Sequence, residues 1–481
     1  MPRCPLQERP AREQLVNANH DSRDPDCAPT QRWSAPAPEC GSDWGGDVMK
    51  ERRIAVIGGG ISGLSAAWLL SRHHRVTLFE ANGYPGGHAN TVDVTVDGVT
   101  SPVDTGFLVF NDRTYPNLVA LFEQLGVAHS ESEMSFSVRV DEEKLEWAGS
   151  NLASLFAQKR NLVNFEFWRM LKEILRFNRE STRALSGEEG ISGSLGEFLD
   201  RRGYGRAFQE WYLLPMSGAI WSCPTRQMLE YPALTFFRFC HNHGLLSLSN
   251  RPTWKTVRGG SREYVRKLVS GIDDVRIGVP VRSVTRHEGG AHVTTRAHGV
   301  ETFSDVVFAC HSDQALDILD DVTRAERRVL EPVRYQANHA VLHTDESLLP
   351  RARDAWAAWN YVAGSSGPAG RPVSVSYLLN RLQPLPFSRP VLVTLNPTHE
   401  PRAETVMRRF DYAHPVFDTE AIAAQRRLPM LQGQNHTWFC GAWTGYGFHE
   451  DGLNSALKVV NAMGISAPWQ APVMSELRGA A

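Results

Sequence analysis

The chain has little excess charge, no long apolar run and no ordered set of cysteines. Its formal net charge is −2 over 481 residues, which is not the basic footprint of a nucleic-acid binder, so no nucleic-acid partner is expected. No stretch reaches the roughly 18 uninterrupted apolar residues of a membrane span. The apolar segment 54–70 is broken by four glycines and two serines, and reads better as a strand turning into a helix. Cys4, Cys27, Cys40, Cys223, Cys240, Cys310 and Cys440 include no Cys-x-x-Cys pair and no metal-ligand spacing, so neither a reductase dithiol nor a metal site is expected. An odd, scattered set fits a reducing cytoplasm. No internal repeat is present. Residues 1–48 hold seven of the 28 prolines and no periodic apolar pattern. Such a segment buries too little apolar surface to offset the entropy of ordering, so it reads as a disordered extension. It also lacks the apolar centre of a secretory signal, and Met49 is an expected alternative start of translation.

What is present begins at residues 54–63, Ile-Ala-Val-Ile-Gly-Gly-Gly-Ile-Ser-Gly. Gly58 permits a tight turn, Gly60 lets backbone approach a pyrophosphate, and Gly63 lets the following helix pack closely on the strand. Ile61 and Ser62 open that helix, whose N-terminal N–H groups and partial positive charge suit phosphate. The next strand ends at Glu80, 22 positions beyond Gly58, with Ala81 beside it. An acid there suits an unphosphorylated ribose diol rather than a 2′-phosphate.

The fingerprint alone allows NAD or FAD, and three features favour FAD. Gly86 and Gly87, with His88 after them, add a second stretch where backbone approaches phosphate. Glycine-rich elements return at 441–452, as expected if the cofactor spans a discontinuous domain. A helix from Leu453, preceded by Gly441, Ala442, Asp451 and Gly452, would aim its N-terminus at a flavin and stabilise negative charge on the reduced ring. No second Gly-x-Gly-x-x-Gly exists, so a dedicated NAD(P)H site is not supported. Residues 91–96 and 99–109 read as a hairpin, and Thr91, Asp104 and Gly106 are placed beside the cofactor because glycine within a strand marks close approach of a ligand.

Elsewhere, 115–125 reads as a helix and 275–284 as a strand, and 337–410 is rich in strands expected to be mostly antiparallel. Phe165, Trp168, Leu171 and Leu175, with Lys159, Arg160, Arg169, Lys172 and Arg176, form a basic amphipathic helix. That pattern fits a core-facing helix with a solvated side, or attachment to an anionic membrane surface. His241 and His243 lack a third ligand at suitable spacing and read as helix-terminal or pocket histidines.

The segment 52–464 resembles the flavin-containing amine oxidase and phytoene desaturase superfamily. More narrowly it is similar to bacterial NAD/FAD-binding oxidoreductases and to the N-terminal region of plant cyclopropane fatty-acid synthases. The narrower likeness rests on Tyr212-Leu-Leu-Pro-Met-Ser-Gly-Ala-Ile-Trp221, Asn242-His-Gly-Leu-Leu246, Trp254-Lys-Thr-Val-Arg-Gly-Gly-Ser261, Trp359-Asn-Tyr361, Thr394-Leu-Asn-Pro397 and Gly445-Tyr-Gly-Phe-His-Glu-Asp-Gly-Leu453. The resemblance implies a glutathione-reductase-type FAD-binding Rossmann domain with a second α+β substrate domain, and non-covalent FAD. The expected FAD domain is discontinuous (52–115, 253–312 and 430–468), and the substrate domain comprises 116–252 and 313–429. Val281 would contact adenine by the same likeness. Bacterial relatives are often encoded beside fatty-acid methyltransferases, which implies an acyl-lipid substrate and a lipid methyltransferase partner. The chain departs from amine oxidases at Tyr84 and His88, where they carry arginines, and at Ala442 and Trp443, where they carry an acid. Phe448 and His449, with Tyr446, stand where they place paired aromatic side chains.

The expected activity is hydride abstraction from a hydrophobic, acyl-lipid-like substrate, its carbon held about 3–3.5 Å from flavin N5. Met216, Trp221 and Trp254 would line the pocket, or form ordinary core. His449 is the first choice for proton handling, since a near-neutral pKa suits general acid–base work; it is otherwise a loop histidine packed near the cofactor. Tyr446 and Phe448 complete the catalytic set, and Glu450 and Asp451 would bind the cofactor or cap the last helix. Amine oxidation, and a non-catalytic flavin-binding partner of a methyltransferase, are the alternatives. The expected location is the cytoplasm, at or near the inner membrane face.

Overall fold

The computed structural model describes residues 51–187, 191–222, 225–246, 251–363 and 373–471. The expected extension 1–48 and the start at Met49 lie outside them. Five strands, Asp274–Ile277, Arg75–Glu80, Arg53–Ile57, Asp305–Phe308 and Thr437–Phe439, form a parallel sheet in that order. The central strand pairs Ile54 with Asp305 on one side and Val76 on the other. A strand covered on both faces needs no polar side, which explains the unbroken buried run Ile54, Ala55, Val56. The helix Ile61–Leu70 leaves this strand buried at every position. It packs with Tyr264 and Leu453 into the core on one face of the sheet. Phe79, Phe308, Phe439 and Trp443 fill the other face.

Three readings shift against the sequence. The strand expected over 275–284 is two strands, broken where Gly278 takes φ +70°. Asp274–Ile277 joins the parallel sheet, and Val281–His287 starts a three-stranded antiparallel unit with Gly290–Thr295 and Gly299–Phe303. The hairpin partner of Thr91–Val96 ends at Asp104 rather than 109. The last helix begins at His449, four residues before Leu453, because Asp451 caps it from within its own first turn.

A seven-stranded sheet runs Val406–Val416, Arg334–His343, Leu392–Leu395, Val373–Leu378, Trp359–Ala363, Phe136–Val140 and Leu145–Ala148. Every pairing is antiparallel except Trp359–Ala363 with Phe136–Val140. Helices between 165 and 242 pack Phe177, Phe198, Phe208, Phe236 and Phe237 into a separate aromatic core. Among the described residues, no helix is long and apolar enough to cross a membrane.

Candidate active site

The first turn is built by close approach. A Cβ on Gly63 would overlap the carbonyl oxygen of Gly58, so only glycine lets the helix start that near the strand. A Cβ on Gly60 would meet no protein atom within 4 Å, so the space over Gly60 is left for something other than protein. The helix has no capping side chain and no acid in its first turn, which leaves its N–H groups to an anion. The second glycine pair locks onto the first: Gly86 N–H donates to Gly59 O at 2.7 Å.

Glu80 sits under this turn, buried. One carboxylate oxygen accepts from Gly59 N–H and the other from Asn82 N–H, each at 2.7 Å. Burial raises its pKa against those two bonds. Glu80 also lines the cavity beneath the turn.

From here a cavity of about 1440 Å³ runs to the seven-stranded sheet and the aromatic helices. An ordinary ligand pocket holds roughly 300–1,000 Å³, so this one has room for an extended dinucleotide and a second molecule. Four buried nitrogens on its lining residues lack a protein partner: Nε2 of His88 and the indole Nε1 of Trp221, Trp359 and Trp443. Buried polar groups normally have partners, so these nitrogens are open to ligand or solvent atoms. The glycine turn, the carboxylate and the volume fit FAD.

Gly58, Gly60, Ile61, Ser62, Glu80, Ala81, Gly86, Gly87, His88, Gly106, Val281, Gly441 and Ala442 line this cavity, as do Met216, Trp221, Trp254, Tyr446, Phe448 and His449. Gly63, Thr91, Asp104, Asp451, Gly452 and Leu453 do not. Their surroundings explain why. Asp104 accepts from the Ser261 N–H at 2.9 Å, the Ser261 hydroxyl at 2.7 Å and the Thr91 hydroxyl at 2.6 Å. Thr91 in turn accepts from Arg262 N–H at 2.9 Å. These two residues tie the hairpin to the Gly259–Gly260 turn rather than facing a ligand. Burial raises the Asp104 pKa to about 6. Asp451 accepts from Phe448 N–H at 3.0 Å, capping the last helix. Glu450 accepts from Asn117 and Leu118 N–H groups at 3.0 and 2.9 Å, at the start of the helix Pro116–Leu125. Gly452 lies where the last helix crosses the first; a Cβ there would come within 2.8 Å of Ile61. Leu453 is core.

His449 is not titratable near neutrality. Its Nε2 lies 3.0 Å from the Tyr264 hydroxyl and its ring stacks on Phe107, and desolvation among these rings lowers its pKa to about 3. The near-neutral value expected for it is therefore corrected. His243 and His414 are lowered to about 4 by burial as well. His243 stacks on Phe239, and Phe239 on Phe448, closing one aromatic wall beside Trp221 and Tyr446. Sequence reading missed a second wall. His88 stacks between Tyr412 and His414, and His311 stacks on Tyr335. The signal was available: Phe410, Tyr412 and His414 recur every second residue, and their strand runs to Val416 rather than stopping at 410.

Similarity to known proteins follows this geometry. No curated protein matches the sequence. A CLA-producing fatty acid isomerase from P. acnes superposes with a TM-score of 0.61 at 14% identity, over 86% of this chain and 99% of its own. A putrescine oxidase bound to putrescine gives 0.58 at 16%, over 86% and 99%. Cyclohexylamine oxidase from Brevibacterium oxydans gives 0.57 at 13%, over 86% and 99%. At such identities the likeness is one of fold. The sequence model of flavin containing amine oxidoreductases matches residues 61–381, from the start of the first helix through most of the seven-stranded sheet. With a glycine cradle, a buried carboxylate beneath it and a cavity of this size, the chain belongs to that family and is an FAD-dependent oxidoreductase.

Proposed function

We propose that this oxidoreductase acts on a hydrophobic, acyl-lipid-like substrate. The observation that carries the reading is the aromatic and apolar stretch of the cavity lining. Met134, Phe136, Trp147, Tyr212, Met216 and Trp254 form it, an apolar surface suited to an alkyl chain. Gly58, Gly60, Glu80, Gly87 and Gly441 would hold the FAD, with Val281 toward its adenine. Segments 52–115, 253–312 and 430–468 would serve the cofactor, and 116–252 and 313–429 the substrate.

When bound, the flavin supplies a two-electron acceptor for hydride from carbon. The chain's own residues position and dehydrate. Trp221 and Trp359 each carry an indole N–H without a protein partner, suited to the carbonyl or carboxyl of an acyl head. Tyr446 and Phe448 pack on the Phe239 wall and narrow the passage. His449, His243 and His414 stay uncharged at neutral pH and exclude water rather than relay protons. A lipid methyltransferase partner is part of this proposal and rests on the sequence resemblance alone, and a cytoplasmic setting rests on the scattered cysteines.

A second reading, amine oxidation, draws equal support from the family and from the putrescine and cyclohexylamine oxidases that share the fold. Anaerobic mixing of the flavin-loaded protein with acyl lipids and, separately, with a panel of amines decides between them. Bleaching of the visible flavin band by acyl lipids alone is expected. Bleaching by amines alone would replace the first reading with the second, and bleaching by neither would leave a flavin-binding partner subunit.

A further inference from the structure

One corner of the molecule exposes what the rest buries. On the 3-10 turn Lys159–Val163, Leu162 is 50% and Val163 88% exposed; at the start of the helix Phe165–Leu185, Phe165 is 78% and Trp168 48% exposed. Leu152, on the neighbouring helix Leu152–Leu155, is 75% exposed. The long helix meets the core through Phe167, Met170 and Phe177 instead. Of the set read from sequence as its apolar face, Phe165, Trp168 and Leu175 therefore point outward.

The corner is held in place. Buried Asn161 donates its side-chain amide to Glu146 O at 3.1 Å, the Trp168 indole donates to Leu162 O at 2.9 Å, and Asn164 caps the Glu166 and Phe167 N–H groups. Lys159, Arg160, Arg169 and Lys172 are exposed in the same stretch, Arg169 also pairing with buried Glu173 at 3.5 Å, and Glu166 is the one exposed acid between 151 and 172. Gly149 and Ser150, just before this corner, line the edge of the cavity.

We propose that this corner docks on an anionic phospholipid surface. Leu162, Val163, Phe165 and Trp168 would enter the headgroup–acyl boundary, and the four cations would meet lipid phosphates. The Trp168 indole, its N–H already given to Leu162 O, would present its ring to lipid with no unpaired donor. A second copy of this chain fits less well, because a two-fold contact would set the same four cations against one another. The inference does not depend on the redox reading, since docking is measured without turnover.

The test is flotation of the full, flavin-loaded chain with vesicles of phosphatidylcholine alone or mixed equally with phosphatidylglycerol. Binding to the mixed vesicles, fading as salt is added, is expected. The double variant Val163→Asp/Phe165→Asp should bind at least about tenfold more weakly with flavin content and melting unchanged. Lys159→Glu and Lys172→Glu should each cost about fivefold or more at low salt. Val300→Asp, an exposed apolar site on another sheet, should bind as the unaltered chain does. Four results would overturn the proposal: no binding by the unaltered chain, equal binding by the double variant, a dimer in lipid-free solution that the double variant breaks, or binding that appears only when residues 1–48 are removed.

Discussion

The imidazole of His449 stacks on Phe107 with ring centroids 3.8 Å apart, while its Nε2 reaches the Tyr264 hydroxyl at 3.0 Å. Unfolded, this histidine takes up a proton near pH 6.5; folded, burial delays that to about 3. Between those values the unfolded chain binds more protons, so the contribution of His449 to stability is present above about pH 6.5 and is lost as pH falls. At pH 5 the loss is roughly 2 kcal/mol. His243 and His414 add to it with the same sign, and Asp104 and Asp451, raised to about 6, partly offset it. Thermal melts at pH 7 and pH 5 should therefore separate less for His449→Phe than for the unaltered chain. The pH–rate profile of the variant should keep its shape. A pKa near 6–7 that vanished from that profile would restore the proton-handling role.

Two glycines three positions apart should fail differently. Gly60→Val adds atoms into space that no protein group occupies and keeps an extended backbone that valine adopts readily. It should lose its colour and melt like the unaltered chain freed of flavin. Gly63→Ala drives a methyl into the Gly58 carbonyl, so its expected outcome is a fold weakened by several kcal/mol. Flavin absorbance per mole of protein, read beside the melting temperature, separates the two.

Asp104 offers a test of structure against ligand contact. Asp104→Ala strands the Ser261 N–H and the Thr91 hydroxyl in a buried site, a loss of roughly 2–4 kcal/mol. Its folded fraction should hold FAD at unaltered affinity, because Asp104 does not line the cavity. A large fall in FAD affinity measured by equilibrium titration would place Asp104 in contact with the cofactor instead.

Met216 sits at the apolar end of the cavity. Met216→Trp should shorten the acyl chain accepted, seen as a drop in kcat/KM that grows with chain length. Each methylene excluded from an apolar pocket is worth about 1 kcal/mol, or several-fold in rate. A uniform drop across chain lengths would mean that the acyl tail lies elsewhere.

The cofactor half was legible because dinucleotide binding imposes local rules. A tight turn, a close helix and an acid after the second strand sit within one βαβ unit, and each rule names a residue type. The parallel strands were equally plain, since burial on two faces leaves an unbroken apolar run at Ile54, Ala55 and Val56. The second aromatic wall was harder to read. Tyr412 and His414 share one strand at a legible spacing, but no spacing ties them to His88, His311 or Tyr335. Thr91 and Asp104 read ambiguously for a related reason. A polar residue beside a glycine turn fits a ligand contact and a cap equally well in sequence, and only the position of Ser261 distinguishes them. The outward set on the helix Phe165–Leu185 shows the limit of periodicity: it identifies a stripe without saying which stripe meets protein.

The crossing at Gly452 has a consequence for biosynthesis. The first helix leans on one made almost 400 residues later, and the outermost parallel strand, Thr437–Phe439, also arrives late. A nascent chain therefore carries the apolar flank of Ile61–Leu70 uncovered until translation is nearly complete, and closing so long a loop is entropically slow. Chaperone demand during synthesis should fall only when the final helix leaves the ribosome, and truncation before residue 449 should yield aggregates rather than a smaller folded protein.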